Sequence, residues 1–504
     1  MDKKKVSWLS TLLLGIFAWA FLAFGIWFLS PVVSEGMSGA DDSPRARLTL
    51  YEGPSTMRTS GHARITADDN ELFVYDAAVN TSRANRGDYS LDGITSTPMT
   101  YFDFTGGDVD IAIEMLNTED FPEITSATVS PLSLGITPVI EGRRVSFSVS
   151  EPGSYTVQFN GSSKRAVHIF ANPPETDIPD RNDPNVVWIE PGEWNILDGI
   201  GLQSGQTLYI SGGAVVHTTV SAQFAENVTV RGRGMIDGSL WDTWRGVEAH
   251  VPVDFRYCTN VNVEGIIVNN SNAWCFNSFE TSGALVDNVK IISARPNGDG
   301  FTLQSCRDYT VQNSFSRTWD DSCVVKNYEG NTDNILFKNM VIWTDLAQSC
   351  EIGYETNKGA LENSIISNVT FEDVTIVNAF HKPTLSIHNA DDALVENVTY
   401  RNIVIENASM GLGDAADNRQ LIDLTVAPSG WSSTRERGTI RNVLFENINV
   451  LAGIQTPTVR ISGYDEDKNI DGVTIKNLTV FGEKIIDLAQ LSAMTRFASN
   501  ITVE

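Results

Sequence analysis

Asn368-Val369-Thr370-Phe371, with Val374-Thr375-Ile376 close behind it, and Asn397-Val398-Thr399-Tyr400, with Ile403-Val404-Ile405 close behind it, decide the fold of this chain. Each unit is a turn residue followed by alternating apolar positions. Alternation of period two marks a strand with one buried face. Asn tolerates left-handed backbone and bonds locally, so it suits a sharp bend between strands. Upstream the unit recurs as Asn227-Val228-Thr229-Val230, Asn260-Val261-Asn262-Val263, Asn288-Val289-Lys290-Ile291 and Asn334-Ile335-Leu336-Phe337. Downstream it recurs as Asn442-Val443-Leu444-Phe445, Val473-Thr474-Ile475 and Asn500-Ile501-Thr502-Val503. One such unit cannot bury its apolar face alone, whereas stacked coils bury a continuous column. No Leu-x-x-Leu-x-Leu pattern recurs, and each unit is too short for a propeller blade. The reading is all-β, a parallel β-helix, right-handed because parallel crossovers take that hand.

Working outward, the β-helix region is predicted over residues 173–504. It opens with a Pro- and Asp-rich linker that runs to Asp183-Pro184. Before it, residues 45–172 hold short alternating runs such as Val109-Asp110-Ile111-Ala112-Ile113 and Tyr155-Thr156-Val157-Gln158-Phe159, separated by turns such as Glu151-Pro152-Gly153. That pattern predicts a small β-sandwich. Residues 1–40 are set apart as a targeting or anchoring segment. Lys3, Lys4 and Lys5 precede an uncharged stretch whose run from Leu12 to Leu29 is wholly apolar, with Trp8 and Trp27 near its ends. This predicts an N-terminal transmembrane helix with the Lys-rich end in the cytoplasm and the bulk of the chain outside, a single-pass cell-membrane protein. The alternative is a long signal peptide cleaved near Ser38-Gly39-Ala40, which would leave the protein secreted.

Composition narrows the function classes. Apolar residues at 41% and charged residues at 20% describe a chain that folds. A formal net charge of −27 argues against nucleic acid as a partner, because phosphate binding needs a basic surface. The five cysteines, Cys258, Cys275, Cys306, Cys323 and Cys350, are an odd number and show no metal-site spacing, so they read as small residues buried between coils.

Chemistry concentrates between Asn297 and Glu355. Asn297-Gly298-Asp299-Gly300 and Trp319-Asp320-Asp321 lie about one coil apart for repeats of roughly 20–45 residues. If the chain coils here, Asp299, Asp320 and Asp321 face one groove, and carboxylates clustered on a rigid surface are what glycoside hydrolysis needs. Cys350-Glu351-Ile352-Gly353-Tyr354-Glu355 alternates, so Glu351 and Glu355 are expected to share a face. The plainer readings stand beside these. Asp299 between two glycines also suits a turn, the Asp pair a solvated bend, the two Glu a solvated face, and His381 and His388 structural positions.

These motifs resemble those of two β-helix families. The Asn-x-Asp motif with an Asp-Asp pair one coil later resembles the polygalacturonase family, glycoside hydrolase family 28. A β-sandwich before the helix, Leu208-Tyr209-Ile210-Ser211-Gly212-Gly213-Ala214, Gly232-Arg233-Gly234 and Lys326-Asn327-Tyr328 resemble the dextranase and isopullulanase family, family 49. The resemblance implies an inverting hydrolase of a polysaccharide or oligosaccharide with no metal or organic cofactor. It implies Asp320 as general acid, with Asp299 and Asp321 activating the water. Asn297, Trp319, Lys326, Gln348, Glu351, Tyr354, Glu355, His381 and His388 are the candidate substrate-binding residues. Two departures bear on the sugar. Gln348 stands where family 28 has the His of a Gly-His-Gly motif, and Ser386-Ile387-His388 stands where it has the Arg-Ile-Lys that receives a uronate. A pocket without that Arg and Lys lacks the groups that best bind a carboxylate, which favours a neutral or differently charged glycan.

Two other classes compete. A polysaccharide lyase on the same scaffold requires a base, Lys326 or Lys382, and usually calcium. A non-catalytic glycan-binding surface protein requires neither.

Overall fold

The computed structural model describes residues 46–81, 93–244, 248–411 and 418–504. The expected membrane segment at 1–40 lies outside the described residues. Among those described, no helix is long and apolar enough to cross a membrane.

Strands from Val186–Ile189 to Ala498–Val503 join into one 28-stranded sheet that winds on itself. Successive coils pair in parallel and in register. Phe276 lies beside Phe301, Phe301 beside Cys323, Cys323 beside Cys350, and Cys350 beside Leu385. The architecture is all-β and consistent with a right-handed parallel β-helix. Near the C-terminal end, Glu483–Ile485 folds back antiparallel on Ile470–Val480.

The Asn of each repeat does what its chemistry suggests. Asn227, Asn260, Asn288, Asn334, Asn368, Asn397, Asn442 and Asn500 all adopt left-handed backbone, with φ between 51° and 56°. Each bend turns the chain without a glycine's entropic cost. Stacking the bends also stacks the amides: Asn442 Nδ2 donates to Asn397 Oδ1 (3.2 Å), and Asn397 Nδ2 to Asn368 Oδ1 (3.4 Å). A second ladder, which the repeat did not reveal, runs Asp373, Asn402, Asn447, Asn477, each step 2.9 Å. Inside, the apolar position after each Asn-Val-x places Phe337, Phe371, Tyr400 and Phe445 in a face-to-face column with centroid spacings of 5.1, 5.0 and 4.8 Å. That is the strand spacing of a sheet, so stacked rings and stacked strands share one period. All five cysteines are buried and free.

Ahead of the coils, two sheets pack face to face around Phe102, Phe104, Ile111, Ile113, Val157 and Phe159. One runs Arg47–Leu50, Ile94–Thr105, Val167–Asn172, Gly153–Phe159, Ala127–Ser130, with Tyr75–Asn80 also on Ile94–Thr105. The other runs Asn70–Glu71, Ala63–Ala67, Val109–Met115, Arg144–Val149, Val139–Glu141. The first sheet covers one flank of the coils. Tyr75, Tyr101 and Phe170 pack on Val215, Met235, Ile267, Ile292 and Phe315. Two buried arginines fasten the contact. Arg233 Nε lies 3.1 Å from both carboxylate oxygens of Asp103, which also accepts from Tyr51 Oη and Asn172 Nδ2. Arg317 bonds Asp345 Oδ2 and His168 Nε2, each at 3.1 Å, and its guanidinium lies 4.1 Å from the Trp343 ring centre. Burial and then the Arg317 charge hold the His168 pKa well below its usual value, so this imidazole is neutral and accepts.

Asp103→Ala leaves the buried Arg233 with the longer contact to Glu264 (3.6 Å). It should cost roughly 3–5 kcal/mol in a urea titration, against about 1 kcal/mol or less for breaking the exposed Arg64–Glu114 pair.

Candidate active site

The residues singled out between Asn297 and Glu355 converge because the same connection of successive coils carries them. Trp274 precedes the strand Phe276–Phe279, and Asn297 and Asp299 precede Phe301–Gln304. Trp319, Asp320 and Asp321 precede Cys323–Lys326, Leu346, Ala347 and Gln348 precede Cys350–Tyr354, and Lys382 precedes Leu385–Asn389. Those five strands are neighbours in the parallel ladder, so these segments stack along one edge. Backbone bonds lock them: Cys275 N donates to Asp299 O (2.8 Å), Gly300 N to Asp321 O (2.7 Å) and Ser322 N to Gln348 O (2.9 Å). Gly300 is required by this closeness, since a Cβ there would lie 2.4 Å from Ser322 O.

Together they line a cleft of about 410 Å³ with Lys326, Tyr354, Glu355 and Trp431. Asp299 and Asp321 are buried, 3% and 7% exposed, whereas Asp320 is half-buried and more open to the cleft. Asp320 Oδ2 accepts from Asn297 N (3.0 Å) and its Oδ1 from Asp321 N (3.1 Å). Asn297 therefore acts through its backbone, which its left-handed φ of 57° presents to the carboxylate. Asp321 Oδ1 accepts from Gln348 N (3.0 Å). Lys326 Nζ lies 3.2 Å from Glu355 Oε2 and 3.7 Å from Asp299 Oδ2.

Burial sets the electrostatics. Burial first, and then the Asp320 charge, push the Asp299 pKa up to about 8. Asp321 is driven well above the usual carboxylate range by burial, then by Asp299 and Asp320. Asp320 is raised by burial against the opposing pull of Lys326. Burial also works against the Lys326 charge, but Glu355, Asp299 and Asp321 outweigh it and hold its pKa well above the ordinary value. The cluster is thus a set of carboxyls that keeps protons near neutral pH beside a permanently charged lysine.

Three of the residues expected to touch substrate sit elsewhere. Glu351 and Glu355 do not share a face as the alternation suggested, because Gly353, with φ 126°, breaks the strand period between them. Glu355 reaches Lys326, while Glu351 is fully buried on Ser386 Oγ and His388 Nδ1. His388 lies flat beneath Tyr354, ring centres 4.4 Å apart and planes 4° apart. Its other nitrogen is 3.1 Å from Asp423 Oδ2, and Asp423 is held in turn by Arg460. Burial opposes the charge on His388, but Glu351 and the other acidic neighbours win and raise its pKa well above the usual value. Glu351, Ser386, Asp423 and Arg460 are register partners on successive coils, so this is a buried ladder that supports Tyr354 from below. His381 is buried and does not line the cleft. Trp274 and Trp431, not anticipated from the sequence, do line it, and Trp431 lies 5.4 Å from Tyr354. Their only sequence signal is an aromatic residue in a turn-rich stretch.

The profile of Glycosyl hydrolases family 28 matches residues 206–486, which include every cleft residue. The chain belongs to that family. Among proteins similar to this family 28 chain is the Probable exopolygalacturonase B of Aspergillus fumigatus, 28% identical over 249 residues, 44% of this chain and 52% of that protein. Another is the Exopolygalacturonase B of Aspergillus niger, 28% identical over 246 residues, 44% and 53% respectively. The chain thus spans about half the length of the curated relatives it matches. Among solved structures, Dex49A from Penicillium minioluteum covers 92% of this chain and 97% of its own, with a TM-score of 0.64 and 15% identity, a likeness of fold.

The raised Asp299 pKa predicts a pH dependence of stability. The folded state keeps a proton that the unfolded carboxyl, with an ordinary value of 3.8, releases. Stability from this group is therefore fully present below 3.8 and is lost as pH rises toward about 8. Melting temperature should fall across that window, and Asp299→Asn should flatten the fall. An unchanged slope would contradict the electrostatics described.

Proposed function

We propose that this family 28 chain is a glycoside hydrolase that cleaves a polysaccharide or oligosaccharide, with Asp299, Asp320 and Asp321 carrying the reaction. The observation that carries the reading is the gathering of these three carboxyls in one cleft, where burial and mutual charge keep part of the cluster protonated. Asp320, the most open of the three, gives its proton to the glycosidic oxygen as the bond to the anomeric carbon breaks. The three carboxyls share their protons, and in the reactive state the proton sits on Asp320 while one of Asp299 and Asp321 is ionised; that carboxylate takes a proton from a water held between the two as the water oxygen attacks from the opposite face. The product has inverted configuration, and the carboxyls exchange their proton with solvent before the next turnover. Glu355 pairs with Lys326 at 3.2 Å, so the lysine balances charge within the cluster.

For the sugar, the relatives' name points to polygalacturonate, and the lining points elsewhere. Trp274, Trp319, Tyr354 and Trp431 offer ring faces, while Lys326 is already paired with carboxylates and His388 is covered by Tyr354. Among the described residues no Arg lines the cleft, and Arg is the residue best suited to a planar carboxylate. The reading adopted is a neutral glycan. A lyase is disfavoured because Lys326, one of its two candidate bases, is held charged by its acidic neighbours and is a poor base. As a matter of organisation, residues 1–40 are proposed to anchor or export the protein, residues 45–172 to form the sandwich module and residues 173–504 the catalytic one.

The soluble chain from Asp41 onward, incubated with neutral and acidic polysaccharides, should release reducing ends from a neutral one. Asp320→Asn should lower kcat by about 10²–10⁴-fold, the usual contribution of general acid catalysis, with little change in KM. Cleavage of polygalacturonate alone would refute the neutral-glycan reading. Full activity in Asp320→Asn would refute the assignment of the acid.

A further inference from the structure

Phe224 is 72% exposed. It ends the strand Ala214–Gln223, takes left-handed backbone (φ 52°), and stacks face to face on Tyr257, ring centres 4.7 Å apart and planes 6° apart. Tyr257 occupies the same bend on the next coil, since Gln223 and Arg256, the residues before the two rings, are register partners. Its hydroxyl is pinned by Glu329 Oε2 at 2.7 Å. The rings continue edge to face, Tyr257 on Phe279 at 5.4 Å and Phe279 on Tyr328 at 5.8 Å. Tyr328 does not line the cleft, but it stands two residues beyond Lys326, which does, and Glu355, Lys326 and Asp299 bear on its hydroxyl. An aromatic series thus runs along the C-terminal ends of the strands whose N-terminal ends carry the cleft, from Tyr328 to a bare ring face.

A ring this exposed buries little and contributes little to the core, whereas a rigid, flat apolar face with polar acceptors around it is what the apolar face of a pyranose ring packs on. The surroundings choose the charge of the ligand. Glu280 and Glu329 flank the series, and Arg256 is already engaged by Asp254 at 2.8 Å and lies over Phe279. Arg307, the other arginine beside the series, lies 4.0 Å from Glu280, so among the described residues a polyanion meets carboxylates and arginines that already have acidic partners.

We infer that Phe224 and Tyr257 form a distal binding platform for a neutral polysaccharide, holding a stretch of the chain whose cleaved bond lies in the Asp299–Asp320–Asp321 cleft. The inference rests on the reading of that cleft as a glycan site, but platform binding is measurable without catalysis. Asp320→Asn protein is run through native gels containing dextran, soluble starch, galactan or polygalacturonate, and the same panel is assayed with active protein for new reducing ends. At least one neutral polymer should retard the protein. Phe224→Ala and Tyr257→Ala in the same background should raise the apparent Kd for that polymer roughly tenfold, about 1.4 kcal/mol. Phe224→Tyr should keep retention, and melting curves should show Phe224→Ala folded. Retention unchanged by Phe224→Ala, retardation by polygalacturonate alone, or retardation by none of the four polymers would overturn the platform. Ring-dependent retention without release of reducing ends would leave the platform standing and remove the catalytic reading instead.

Discussion

Every coil of this protein returns to the register of the one before it, and the rest of the structure depends on that return. The constraint is set by the bends. A residue must turn the chain sharply, in left-handed backbone, at the same place on each coil, and Asn does so while bonding its amide to the Asn above and below. Once the bends are in line, backbone pairing follows along every strand, and side chains that point inward meet their own kind. The ring column through Phe337, Phe371, Tyr400 and Phe445 is the clearest case. A slip of one residue would turn each ring outward, so the aromatic column and the amide ladders guard the same register.

The site inherits this order. Asp299, Asp320 and Asp321 belong to one type of connection on neighbouring coils, and their backbones bond to each other before any side chain is considered. Burying like charges this close costs stability, and the structure offsets it locally with Lys326, with peptide N–H groups aimed at Asp320 and Asp321, and with retained protons. The sandwich braces the coils along one flank. Arg317 reaches His168 on one side and stands two residues before Trp319 on the other, so the sandwich supports the strand that leads into the Asp pair.

What was legible in the sequence is what repeats. Asn at the bends and alternation after it gave away the helix, and the spacing of the three Asp gave away their convergence. Contacts between the sandwich and the coils were illegible, because nothing in the sequence pairs Asp103 with Arg233, even though Gly232-Arg233-Gly234 stood out as a motif. Glu351 misled for a different reason. Strict alternation would place it beside Glu355, but one glycine in unusual backbone resets the strand, and the side chain goes under Tyr354 to His388. Trp274 and Trp431 lie in connections without periodicity, where only the fold says which way they face.

The five cysteines carry a practical consequence. All are buried, none is bonded to another, and burial raises every one of their thiol pKa values, so each stays a neutral, sheltered S–H. Cys323 and Cys350 even stand side by side on adjoining coils without forming a bond. The folded chain therefore has no redox-sensitive joint. No disulfide holds the fold, so its stability draws nothing from an oxidising compartment.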